Sequence, residues 1–419
     1  MKKNKLLKLV TAFTLAFFIF ACQAGKDNRE YYESHSSDSH NTEKHDDTHL
    51  IETKKEEPVV EETKKEEPVV EETKKEEPVV EETKKEELVV EETKKEELVV
   101  EETKKEEPVI EEKKVSYEEY LSSIDSIIDP GNVSWPRTIL INEKEIVISD
   151  KPERLATISL GHDEILFGIT DSSQIVATTS FAQEEGSNIQ TKSEGLPTIS
   201  SDPETIIAQD PDIVFADPYA SAELIDALED FGITVIQTQL NNSIEGRKND
   251  VWLMSYITGN LENAKSLVDI IDTNIQSLDN LVNDQQDPKK KVITLSWWDA
   301  YWTAGSGSTE DSIIQLAGAI NLSADNDVES NSTIDKELLI SMNPEIILIT
   351  QSVQWGGKDF YDDLLTDDSL SSIQAIKNEE VYMVNPNWWG TLSYWNIKGS
   401  EQLAKILFNV EEIEGFGDF

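Results

Sequence analysis

One pattern occurs twice in this 419-residue chain and limits the folds open to it. Residues 204–218 (ETIIAQDPDIVFADP) and 336–352 (KELLISMNPEIILITQS) each run from an acid-bearing helical segment, through a polar-Pro-acidic turn, into an apolar strand. Between them lies Gly246–Gln286, where Ile257, Leu261, Ala264, Leu267, Val268, Ile271, Ile275, Leu278 and Leu281 recur at helical spacing. No proline interrupts that stretch, and Asp287-Pro288 closes it. The pattern predicts one helix, about 50–60 Å long, acting as a beam between two related units.

Strand-length apolar runs alternate with helical stretches on both sides of the beam. They are Leu155–Ser159, Ile175–Thr179, Ile213–Ala216 and Thr234–Gln237 before it, and Lys291–Ser296, Ile346–Thr350 and Val381–Val384 after it. Such alternation predicts parallel sheets with helices on both faces. The expected architecture is therefore α/β. An N-terminal lobe (130–245), a connecting helix (246–286) and a C-terminal lobe (288–419) enclose a ligand cleft between the lobes.

What precedes the lobes has a different character. Lys2, Lys3, Lys5 and Lys8 lead into the apolar run Leu9–Ala21, and Cys22 follows directly, the only cysteine in the chain. A basic start, a short apolar core and a cleavage region predict an export signal over residues 1–22. Ile19-Phe20-Ala21-Cys22 resembles a bacterial lipobox, which implies a lipid-modified Cys22 at the mature N-terminus and anchoring to the bacterial cell membrane. Residues 23–114 then form a tether. Its first part holds His35, His40, His45 and His49 among acids, a spacing open to weak metal capture. Six near-copies of EETKKEEPVV follow over Ile51–Ile110, too polar and too often interrupted by proline to build a core. This acidic repeat extension is expected to be a disordered spacer.

Charge narrows the partners. From Asp129 onward, 16 Lys and Arg stand against 49 Asp and Glu. A surface this acidic repels phosphate backbones and sets nucleic acid aside. Nor is there a G-x-S-x-G elbow, an H-E-x-x-H helix, a P-loop or a dinucleotide glycine fingerprint. With one histidine and no cysteine after residue 115, a catalytic site has little to build on, and a non-enzyme is expected.

In parallel sheets ligands sit at the carboxyl ends of the strands. There the sequence places His162 after the first strand run, Phe181 after the second and Tyr219 after the third. In the C-terminal lobe the equivalent positions hold Trp297, Trp298, Tyr301 and Trp302, then Trp355, then Trp388, Trp389 and Trp395. Seven of the nine tryptophans thus fall in three segments of one lobe. Trp in polar loops covers something apolar or stacks on a flat partner. Within the adjacent pairs, one ring of each is expected to pack into the lobe itself.

Lys151–Ile169 (KPERLATISLGHDEILFGI), Leu196–Ala216 (LPTISSDPETIIAQDPDIVFA) and Ile334–Thr350 (IDKELLISMNPEIILIT) resemble the substrate-binding proteins of ABC importers for iron chelates, haem and cobalamin. The resemblance covers residues 136–410. It implies two Rossmann-like lobes, a rigid helical backbone, a ligand in the cleft, and a permease and an ATPase as partners, the chain itself a monomer. It also implies that Glu204 and Glu337, which hold matching places in the two lobes, meet the permease. The only arginines after residue 115 are Arg137, Arg154 and Arg247, and none follows a predicted strand. A multiply anionic chelate would want a basic fork there. The aromatic positions suit a weakly charged hydroxamate-type iron chelate, a corrinoid, or a cation over ring faces. Haem stays open through His162 or Tyr219 as an axial ligand, and a glycan remains a lesser possibility.

Overall fold

The computed structural model describes residues 116–284 and 288–419. Cys22, the four tether histidines and the decapeptide repeats lie outside the described residues. Among the described residues, no helix is long and apolar enough to cross a membrane.

After a short helical turn at Glu118–Leu121 comes a hairpin, in which β1 (Arg137–Ile141) pairs antiparallel with β2 (Lys144–Ile148). Its two-residue tip, Asn142-Glu143, takes positive φ at both positions (50° and 65°), the twist that a tight hairpin turn demands. The N-terminal lobe follows with β3 (Leu155–Thr157), β4 (Ile175–Thr179), β5 (Thr198–Ile199), β6 (Ile213–Ala216) and β7 (Thr234–Gln237). They form a parallel sheet in the order β5-β4-β3-β6-β7. The C-terminal lobe contains β8 (Lys291–Trp297), β9 (Tyr301–Ala304), β10 (Ile320–Asn321), β11 (Asn331–Ile334), β12 (Ile346–Ile349) and β13 (Val381–Met383). Its order is β11-β9-β8-β12-β13, with β10 also on β8. Strands β8, β10, β12 and β13 run parallel, whereas β9 and β11 are antiparallel additions.

Strand alternation decides where the core sits. Ile213 and Phe215 of β6 face one apolar cluster, while Val214 and Ala216 face another. In β12, Ile346 and Leu348 join that first cluster, whereas Ile347 and Ile349 join a third. Because neighbouring side chains point to opposite faces, each sheet has a private outer core. Both inner faces feed one common core. The helices filling it are α1 (Leu160–Ile169), α2 (Ile244–Thr258), α3 (Leu261–Asp284) and, near the C-terminus, α5 (Asn396–Phe408). Helix α4 (Gly357–Thr366) covers the outer face of the C-terminal sheet.

The beam differs from its prediction. The stretch read as one helix is two, α2 and α3, separated at Gly259-Asn260. Gly259 takes the left-handed conformation (φ 78°), and its N–H and that of Asn260 both close on the Ser255 carbonyl at 2.8 and 3.0 Å. That is a helix stop of the glycine type, placed where the apolar period runs on without a break. The continuous part, α3, has 24 residues and spans about 36 Å.

Candidate functional site

In the C-terminal lobe the chain runs from β8 outward to one side, through β10, and then to the other, through β12 and β13. The reversal falls between β8 and β12, and a crevice opens at the carboxyl ends of such a strand pair. Trp297 ends β8, and Gln351 and Trp355 follow β12. Together with Tyr301, Gly356 and residues of α4 they line a cavity of about 350 Å³. Gln351 is buried and ties the two strand ends together. Its Oε1 accepts from the Trp297 backbone N–H at 2.8 Å, and its Nε2 donates to the Trp297 carbonyl at 3.1 Å and to that of Trp355.

The rings of this crevice have fixed relations. Trp297 stands edge-on to Tyr301, with centroids 5.0 Å apart at 76°, and nearly parallel to Phe360 at 6.1 Å and 26°. Trp297, Trp298 and Trp355 are 42%, 43% and 47% exposed, although Trp is highly buried on average. A turn between β8 and β9 holds Trp298 outward, with Asp299 at φ 59°. From α4, Asp359 and Asp363 reach the same cavity, and Asp367 lies just beyond the helix. Burial, together with the nearby Asp367 and Asp363, raises the Tyr301 phenol above its ordinary value, so it stays a hydroxyl at neutral pH.

The N-terminal lobe reverses between β3 and β6, and Tyr219 follows β6 with 47% exposure. Phe181 lies half-buried in the short turn after β4. Between the lobes runs a seam of hydrogen bonds. Glu164 of α1, buried, accepts from Asn188 at 2.8 Å and from the hydroxyls of Thr391 and Ser393. Asn387 donates to the Gly186 carbonyl at 2.7 Å, and Asn188 to the Asn387 carbonyl at 2.9 Å. A second set joins Asn242 to Gly307 and Thr309 at 3.0 and 3.1 Å, and Arg247 to Leu392 and Thr309. Burial raises the Glu164 carboxyl despite its donors and the Arg247 charge.

The structure corrects part of the predicted site. Helix α1 begins at Leu160, close behind β3, and so carries His162 inward rather than leaving it in a strand-end loop. His162 is fully buried, shares a 2.9 Å hydrogen bond with Thr238, and is held neutral by burial, its pKa pushed down to about 3. It touches no accessible surface and cannot serve as an axial ligand. Trp389 is also fully buried, its indole N–H on Gln402, and it packs the common core. Trp388 and Trp395 are half-buried against that core, Trp395 between Tyr394 and Phe419 at 5.8 and 5.4 Å. Trp302 is half-buried on β9, a strand and not the expected loop. Of the predicted rings, Trp297, Tyr301 and Trp355 come together in one cavity, and Trp298, next to Trp297 in the chain, is exposed but does not line it. Phe360, Asp359 and Asp363 were not foreseen; the spacing of Phe360, Leu364 and Leu365 was the available signal for α4. Glu204 and Glu337 are both exposed in the first turns of the helices Pro203–Ile207 and Lys336–Met342. Among the described residues, no group of three His, Cys, Asp or Glu side chains is placed to hold a metal ion.

Two lobes with shared inner helices, and exposed rings at a strand-order reversal, define a ligand-binding α/β protein. The family model for periplasmic binding proteins matches residues 155–387, more than half of the chain, and the chain belongs to that family. A cobalamin-binding protein of Halobacterium salinarum is 24% identical over 209 residues, which are 48% of this chain and 55% of that protein. The match thus spans only about half of that relative's length. An uncharacterised ABC transporter substrate-binding lipoprotein of Bacillus subtilis, YvrC, is 22% identical over 272 residues, 64% of this chain and 83% of that one. Among solved structures, the periplasmic heme-binding protein RhuT from Roseiflexus in its apo form superposes with a TM-score of 0.54 at 19% identity, covering 61% of this chain and 98% of that one. That last likeness is one of fold.

Proposed function

We propose that this chain is the substrate-binding protein of an ABC importer, exported and anchored to the bacterial cell membrane through a lipid on Cys22. Its ligand is an iron chelate of the hydroxamate, siderophore-like kind, handed to a permease that works with an ATPase. The observation that carries this reading is the exposed indoles Trp297, Trp298 and Trp355 beyond β8 and β12, with the half-buried Tyr301 beside Trp297, and no arginine or lysine among the cavity's lining residues. Flat apolar faces and carboxylates favour a ligand of low negative charge over a multiply anionic catecholate. Trp388, Trp395, Phe181 and Tyr219 are candidates for the outer parts of the ligand contact.

A corrinoid is the second reading, supported by the match to the cobalamin-binding protein of Halobacterium salinarum. Haem of the same receptor type draws on Tyr219 alone, since His162 is sealed from solvent.

Glu204 and Glu337 are the proposed permease contacts: exposed acids at matched positions, free to meet basic side chains. Cells lacking the chain should lose uptake of a labelled ferric hydroxamate. The Glu204→Ala/Glu337→Ala variant should fail to restore uptake while binding the chelate as well as the parent protein does. Reduced chelate affinity in that variant, or full restoration of uptake, would refute the docking assignment; undiminished uptake without the chain would refute the importer itself.

A further inference from the structure

We propose that the crevice between β8 and β12 is a subsite for a positively charged nitrogen on the ligand, an ammonium or quaternary ammonium group. This assignment rests on reading those strand ends as the ligand site.

Its walls are aromatic. The ring centroids of Trp297, Tyr301 and Phe360 lie within 6.1 Å of one another, Trp297 edge-on to Tyr301 and nearly parallel to Phe360, and Trp355 lines the same cavity. The face of an indole or phenol ring carries negative potential and attracts a cation placed over it. Helix α4 adds Asp359 and Asp363, one helical turn apart on the cavity side. Two like charges at that spacing oppose helix formation, so the arrangement costs stability unless something answers it. Neither carboxylate has a cationic partner among the described residues. Their neighbours are served: Asp362, outside the cavity, pairs with Lys358, and Asp367 takes Lys336 at 2.5 Å. The nearby lysines Lys336 and Lys358 are therefore committed, while the exposed carboxylates of Asp359 and Asp363 line the same cavity as the rings.

That combination selects. An anion meets two carboxylates and the negative faces of the rings. A neutral apolar group would strip water from Asp359 and Asp363 and return nothing to them. A cation satisfies both the carboxylates and the rings. The space, about 350 Å³, exceeds what one alkylammonium head occupies and leaves room for its connection to a larger ligand.

Choline and its uncharged isostere 3,3-dimethyl-1-butanol test the assignment, titrated against the full chain by tryptophan fluorescence. Choline should bind about tenfold more tightly than the alcohol, and Asp359→Asn/Asp363→Asn should remove that preference. Asp362→Asn, which deletes the same charge from the same helix outside the cavity, should leave it intact. Equal binding of the two probes, no saturable change with choline, or a preference that survives the double substitution would overturn the proposal. A ferric hydroxamate bearing a free amine, compared with its N-acetylated form, separates this failure from that of the wider reading. Equal affinity for the two chelates discards the subsite and keeps the receptor. Choline binding with the expected variant pattern, but no chelate binding at all, keeps the subsite and discards the chelate.

Discussion

Asp163, Asp250 and Glu310 are carboxyls taken out of water, and burial is the first cause of the shift in each. It raises Asp163 and Glu310 to about 7 and Asp250 to about 6. Hydrogen bonds oppose burial without cancelling it: Thr157 and Thr179 on Asp163, Asn241 on Asp250, Thr294 on Glu310. The sign of the consequence runs against ordinary acid denaturation. Between about pH 4 and pH 7 the unfolded chain has these groups ionised while the folded chain holds their protons, so folding takes up protons. His162 opposes this, because its imidazole is neutral in the fold and takes up a proton in the unfolded chain below about pH 6.5. The three carboxyls outweigh that one group, so stability should rise, on the order of 1–3 kcal/mol, as pH falls from 7.5 to 5. Below about pH 4 it should fall, as groups with lowered values such as Asp367 (about 2) lose their partners. Urea unfolding at pH 5, 6 and 7.5 measures this, and Glu310→Gln should flatten the slope. Maximal stability at pH 7.5 would contradict it. At this scale the sequence was informative about residue type and poor about direction. Trp297 and Trp389 both follow strands in a tryptophan pair, yet one is exposed and the other seals the core. The two pairs differ because the local backbone is a hairpin turn at Trp297-Trp298, which leaves both rings out, and a helical turn at Trp388-Trp389, which sends Trp389 inward; the expectation of one inward ring per pair holds only for the second. His162 went astray for the same reason, since α1 starts two residues before it.

Among the elements, the α2–α3 joint shows what periodicity hides. The apolar spacing continues through Ile257, Leu261 and Ala264 because both helices line the same core. Gly259 between them was the only sign of the break, and a glycine within a helical pattern is ambiguous by itself. Its φ of 78° excludes comfortable substitution, and an added Cβ would meet Trp135 at 3.0 Å and Lys151 at 3.2 Å. Gly259→Ala should cost roughly 1–2 kcal/mol in urea unfolding; an unchanged midpoint would mean that the joint can straighten. The parallel strands were legible, because a sheet covered on both faces needs continuous apolar runs. Strands β9 and β11 were not: polar residues of an antiparallel edge, Asn331-Ser332-Thr333, carry no such run. Helix α4, with Asp359, Asp362 and Asp363 in ten residues, reads as acidic loop until the lobe supplies a face for Phe360 and Leu364.

Across the whole molecule, the two sheets are not independent bodies. Their inner faces share one apolar core through α1, α2, α3 and α5, and the Glu164 and Arg247 networks stitch the seam beside it. Opening the lobes widely would expose apolar surface and strand the buried Glu164 and Arg247 groups, both unfavourable. On the proposed reading a ligand is accepted by small adjustments around strand ends that are already formed, and Gln351 ties the end of β8 at Trp297 to the segment after β12. The most direct test is isothermal titration calorimetry of the purified chain with a ferric hydroxamate, a ferric catecholate, haem and cobalamin, repeated with Trp297→Ala/Trp355→Ala. Saturable binding of the hydroxamate in about the micromolar range or tighter, weakened at least about tenfold in the double variant, is the predicted result. No heat with any of the four, or hydroxamate binding indifferent to the loss of both indoles, would contradict the account.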